Sequence, residues 1–187
     1  MGCSEALRRT GEHLVRAVAD ADDVEARHGM MFAATLAGIA FGNSGVHLPH
    51  GMAYSVAGLI RDYRPEGYPD EEAICPHGIS VIVDAPSVFR FTAPASPQRH
   101  LDAARLLGGD VTGAGPEDAG ELLAERIIHM MRATGMPNGI GALGYGDADI
   151  APLAEGAFAQ QRLLANSPLP VDEMDLQRLY RGAESYW

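Results

Sequence analysis

The stretch "GMMFAATLAGIAFGNSGVHLPHGMAYSVAGL", Gly29–Leu59, decides the fold. Its first part, Gly29–Gly42, is apolar on every side. It is longer than ordinary strands and rich in Ala and Gly, which predicts a central, buried helix running from about Val24 to Phe41. The run is too short to span a bilayer. Gly42–Gly45 then loosens the chain, and Pro49 fits the first turn of a second helix, where its missing N–H costs little. In that version the helix reaches about Arg61, His47 precedes it, and His50 lies in its first turn. Tyr54 follows one turn later on the same face. A helix continuing through Pro49 would put all three residues on one face only by bending.

Helical signals continue on both sides. Ser4–Val18 carries an apolar stripe of Leu7, Leu14, Val15 and Val18, with Ser4 as a candidate N-cap. "RPEGYPDEEAIC", Arg64–Cys75, is a polar loop ending at Pro76–Gly78. "ISVIVDAPSVFRF" has an ambiguous period. Without a partner strand it reads as a buried helix interrupted near Pro86. Pro97–Leu107 forms the next helix, and Pro116 opens a longer one with Leu122, Leu123, Ile127, Met130 and Met131 inward. A short segment from Asp147 or Asp149 towards Ala159 follows. Asp172–Ala183 closes the chain with Leu176, Leu179 and Tyr180 on one side. "GIGALGYG", Gly139–Gly146, lacks a preceding strand and reads as a packed turn. The expectation is an all-α single domain over 1–187, without internal repeats.

Composition narrows the chemistry. All fourteen basic residues are arginines, so lysine Schiff bases and a Walker-type phosphate loop are excluded. A net charge of −11 argues against nucleic acid as a partner. No targeting or membrane segment is evident near Met1, and Cys3 and Cys75 read as reduced thiols in a cytoplasmic protein.

His50 and His77 are the sharp candidates for chemistry. Each sits between a Gly- or Pro-bearing turn and an apolar helix, and imidazole is the commonest metal-ligating side chain. The competing reading is a pair of histidines hydrogen-bonded at helix termini. Two ligands are also too few for a metal shell. Asp62, Asp70, Glu71 and Asp84 are candidate oxygen donors, although each fits a solvated face. His13, His28, His100 and His129 fall on the polar sides of their helices.

Taken together, "GIAFGNSGVHLPHGMAY" and "CPHGISVIV" resemble the C-terminal half of the iron-containing alcohol dehydrogenases, with residues 51–76 between the two histidines. "HLVRAVADADDVEAR", "FTAPASPQRHLDAARLLGGD" and "LGYGDADIAPLAEG" are similar to the hydroxyacid–oxoacid transhydrogenase branch of that family. The resemblance implies a helical, dehydroquinate synthase-like domain whose metal-binding histidines match His50 and His77. It places Tyr54 where many relatives carry a histidine linked to substrate or proton handling. The family's remaining ligands, an aspartate and a histidine, and its nucleotide-binding α/β domain lie upstream of anything matched here.

The expected cofactors are therefore Fe2+, with Zn2+ as the alternative, and NAD only together with that N-terminal domain. The expected partners are small alcohols or hydroxy acids, aldehydes or oxo acids, and either a separate N-terminal half or a second copy of the chain. The implied reaction converts 4-hydroxybutyrate and 2-oxoglutarate to succinate semialdehyde and 2-hydroxyglutarate. A substrate-carboxylate arginine is expected among Arg61, Arg64, Arg90 and Arg99. An inactive helical interaction module and half of a zinc-dependent polyol dehydrogenase are the alternatives.

Overall fold

A computed structural model describes residues 2–69 and 71–187; Asp70, one of the candidate oxygen donors, lies outside the described residues. All regular structure among them is helical, as the sequence patterning predicts. In chain order the helices are α1 (Gly2–Ala19), α2 (Val24–Ser44), α3 (Leu48–Gly58), α4 (His77–Ile82), α5 (Ala85–Thr92), α6 (Pro97–Leu106), α7 (Ala119–Ala133), α8 (Ile150–Phe158), α9 (Gln161–Leu164) and α10 (Glu173–Gly182). Short 3-10 turns at Pro116–Asp118 and Asp147–Asp149 lead into α7 and α8.

The core forms around α3, whose Leu48, Met52 and Val56 are fully buried. They pack with Val83, Val88, Met131, Leu153, Leu176 and Tyr180 into one apolar cluster. Side-chain to backbone bonds lock this helix in place. Tyr180 donates to the Met52 carbonyl at 2.9 Å and sits 2.9 Å from Ser55 Oγ, while Tyr145 donates to the Val56 carbonyl at 2.6 Å. A buried hydroxyl with a partner avoids the desolvation cost of an orphaned one. These bonds therefore fix the axial position of α3 as well as its burial. The segment predicted as one interrupted helix is two, α4 and α5, separated at Val83–Asp84.

The expectation of a central α2 is corrected. Only Ala26, Gly29 and Ala33 of α2 are buried, and they form a narrow small-residue stripe against α1. Met31 is 72 % exposed, Ile39 61 % and Phe41 55 %. The hairpin of α1 and α2 is a layer at the edge of the domain. All-round apolarity records what a helix tolerates beside it, whereas the small side chains set its close packing on α1. Among the described residues no single helix is long and apolar enough to cross a membrane; α2 and α3 together meet at a 106° bend.

Candidate metal centre

Pro49 lies in the first turn of α3, as the unbent version of the sequence reading requires. His47 stands at the N-cap, and its carbonyl accepts from the His50 and Gly51 amides, each at 3.0 Å. His50 thus occupies the first turn and Tyr54 the next. Most of α3 is buried; His50 is half-buried and Tyr54 50 % exposed, so the two form the open stripe of the helix.

The loop after α3 returns on itself, the Ile74 amide donating to the Tyr63 carbonyl at 3.0 Å. Pro76 then caps α4, accepting from Ile79 and Ser80 at 2.9 and 3.0 Å. His77, the first residue of α4, is brought against His50. Their ring centroids lie 5.3 Å apart with a 60° tilt.

Neither imidazole has a hydrogen-bond partner among the described residues, which disfavours the reading of two histidines tied up at helix ends. Burial, and then the nearby His77, push the His50 pKa below its usual value. His50 also sits in the first turn of α3, where the helix dipole opposes an imidazolium. The ring nitrogens of His50 are therefore poised as neutral donors. An ion about 2.1 Å from one nitrogen of each ring is compatible with rings this close, so the pair fits a shared divalent cation. Among the described residues no group of three or more His, Cys, Asp or Glu side chains is placed to hold an ion.

The other candidates disperse. Asp62 and Glu71 are exposed, as expected. Asp84 is not on a solvated face: it is fully buried and both its carboxylate oxygens lack a partner. His28 and His129 are exposed as expected. His100 is buried instead, with its Nε2 3.0 Å from Thr92 Oγ1 and its Nδ1 2.9 Å from the Ser96 carbonyl. The turn from α5 into α6 folds Thr92 over a face that the α6 pattern marks as polar. His13 packs over Gly29 with its side chain only 12 % exposed. Cys3 is exposed, Cys75 buried, and both are free thiols.

Of the arginines considered for a substrate carboxylate, Arg61 is held by Asp149 at 2.5 Å and Arg90 by Glu121 at 2.6 Å. Arg64 bonds the Asp62 carbonyl. Arg162, overlooked in the sequence, reaches the site instead. Its Nη2 is 3.4 Å from the Tyr54 hydroxyl.

Comparison with known proteins now bears on this geometry. Residues 1–184 match the model of the Fe-containing alcohol dehydrogenase family, C-terminal. The chain belongs to that family. A probable mitochondrial hydroxyacid–oxoacid transhydrogenase of Dictyostelium discoideum is 44 % identical over 173 residues, covering 92 % of this chain and 32 % of that protein. The mitochondrial hydroxyacid–oxoacid transhydrogenase of Homo sapiens is 42 % identical over 178 residues, 95 % of this chain and 38 % of the relative. Among solved structures, a 1,3-propanediol oxidoreductase superposes with a TM-score of 0.85 at 28 % identity, covering 97 % of this chain and 44 % of its own. The chain thus spans roughly a third of the curated relatives' length, and the similarity confirms an all-helical C-terminal domain of the Fe-containing alcohol dehydrogenase type.

Proposed function

We propose that this domain is the metal-binding half of an oxidoreductase of the hydroxyacid–oxoacid transhydrogenase type, with His50 and His77 sharing one divalent ion. The carrying observation is the facing pair of unpartnered imidazoles, 5.3 Å between centroids, delivered by two helices separated by a long loop. Iron is the ion the family description favours. The overall reaction moves a hydride from 4-hydroxybutyrate to 2-oxoglutarate, giving succinate semialdehyde and 2-hydroxyglutarate. NAD and the α/β half that carries it belong to the remainder of such an enzyme, in the same polypeptide or a separate one.

When bound, the ion supplies a Lewis acid to a substrate oxygen and the nicotinamide carries the hydride. The chain's own contribution is positioning and proton handling. His50 and His77 would hold the ion through one ring nitrogen each. The position of His50 is set by α3, whose core-facing side is fixed by Tyr180 and Tyr145, and that of His77 by the first turn of α4. Tyr54 projects on the same face of α3 as His50, one turn on. Arg162 Nη2 lies 3.4 Å from the Tyr54 oxygen, a long contact, so the exposed phenol stays open to a substrate oxygen.

Calorimetric titration of the 187-residue chain with Zn2+ tests the ligand pair. One ion per chain is expected, with Kd weaker than about 1 µM, because two imidazoles leave most of the coordination sphere to water. His77→Ala and His50→Ala each remove this binding and leave the helical circular dichroism unchanged, whereas the exposed His28→Ala retains it. Unaltered titration in the His50→Ala/His77→Ala double variant would sink the assignment. Sub-micromolar affinity would mean that further protein ligands exist.

A further inference from the structure

The geometry points to Arg162, backed by Tyr54, as the residue that binds the carboxylate of an acid substrate at this site; the inference rests on the site reading above and names a group that reading left open. Four observations converge. First, α9 lies directly on α3 beside His50. A Cβ built at Gly51 would come 3.2 Å from Leu164 Cδ2 and 3.7 Å from Leu163 Cβ, so α9 packs closely against α3 at this position. Second, the close approach aims Arg162 at Tyr54, the residue one turn from His50. Third, the 3.4 Å separation from the phenol is long for an N–H···O bond, so the guanidinium's strong donors are not consumed there.

Fourth, Arg162 is exposed and has no carboxylate partner among the described residues. In a chain with eleven more acidic than basic charges, an arginine left without an acid is one available to an anionic ligand. A planar guanidinium binds a carboxylate through two parallel N–H···O bonds. The substrate would then lie across the open stripe of α3, with its carboxylate at Arg162 and its reacting oxygen towards His50 and His77. Such an arrangement selects hydroxy acids and oxo acids over plain alcohols of the same length.

The test is a nuclear magnetic resonance titration of the full 187-residue chain with 4-hydroxybutyrate, and separately with 1-butanol, each with and without Zn2+. The acid is expected to shift the Arg162 Nε–H and Tyr54 ring signals saturably, while the alcohol leaves them in place. Arg162→Gln weakens the acid's apparent affinity by about tenfold or more, Arg162→Lys retains part of it, and neither alters the circular dichroism. Equal affinity of Arg162→Gln and wild type overturns the proposal, as does an acid that leaves Arg162 unperturbed or an alcohol that matches the acid. The imidazole signals of His50 and His77 report on the ion independently. Acid binding at Arg162 without a Zn2+ response at those rings overturns the metal reading alone; the converse pattern overturns only the Arg162 assignment.

Discussion

Replacing Asp84 by asparagine is expected to stabilise the domain by about 1–3 kcal/mol at about pH 7.5, and to change little near pH 4. Asp84 is fully buried, with neither carboxylate oxygen bonded. Its titratable neighbours offer no compensation. Tyr145, Tyr180 and Tyr186 spend their hydroxyls on the carbonyls of Val56, Met52 and Val83. Burial raises the Cys75 thiol to about 11, and Asp84 adds to that shift. Burial alone raises the Asp84 pKa well above its usual value.

The sign follows from proton linkage. Below the unfolded carboxyl value both states hold the proton, and no pH-dependent penalty exists. As pH rises through that value the unfolded chain ionises and the folded one does not, so wild-type stability falls. Glu121 and Asp149, lowered first by their arginine partners, act in the opposite direction. The comparison of wild type with Asp84→Asn cancels them. Asparagine keeps the shape and a buried polar group, so the difference isolates ionisation. Thermal denaturation across pH provides the check, at about 2–4 °C per kcal/mol for a domain of this size. A pH-independent difference, or a variant less stable at neutral pH, would show that Asp84 is compensated.

The second large effect is expected at Gly139. Its φ is +69°, and an added Cβ would lie 2.3 Å from the Ala183 carbonyl oxygen and 2.6 Å from that of Glu184. The next residues tie down the C-terminal segment, Ile140 donating to Ala183 at 2.8 Å and Gly141 to Glu184 at 3.0 Å. Gly139→Ala therefore combines left-handed strain with a backbone collision and should cost about 3 kcal/mol or more. Gly135 shares the strain, at φ +71°, but faces open space; its alanine variant should cost only about 1–2 kcal/mol. Urea denaturation of the two variants gives the comparison. Equal losses would mean that the contact with the C-terminal segment carries no weight.

Much of this was legible in the chain. Pro49 and Pro97 mark helix starts because a ring without an N–H is tolerated in the first turn. Asp172, the start predicted for the last helix, caps α10 by accepting from the Asp175 amide. His50 and His77 stand out in the sequence as histidines between turns and apolar helices, and the family resemblance adds the implication that they share one ion. Their pairing depends on a loop closed between Tyr63 and Ile74, which no short-range pattern encodes.

The misreadings share this non-local origin. Asp84 reads as solvated because an unpaired aspartate usually is, and its burial is decided by helices distant in sequence. His100 is covered by Thr92 from the preceding helix. Four-residue α9 is too short for any periodic signal, and Arg162 meets Tyr54 across 108 positions.

The edge position of α2 has a calorimetric consequence. Heat-capacity increments on unfolding track newly wetted hydrocarbon. The side chains of Met31, Ile39 and Phe41 are already largely wetted in the native state, so this helix adds less to the increment than its composition suggests. A scan of the domain would therefore yield a flatter stability curve than its count of apolar residues implies, and a covering of α2 by another polypeptide would steepen it.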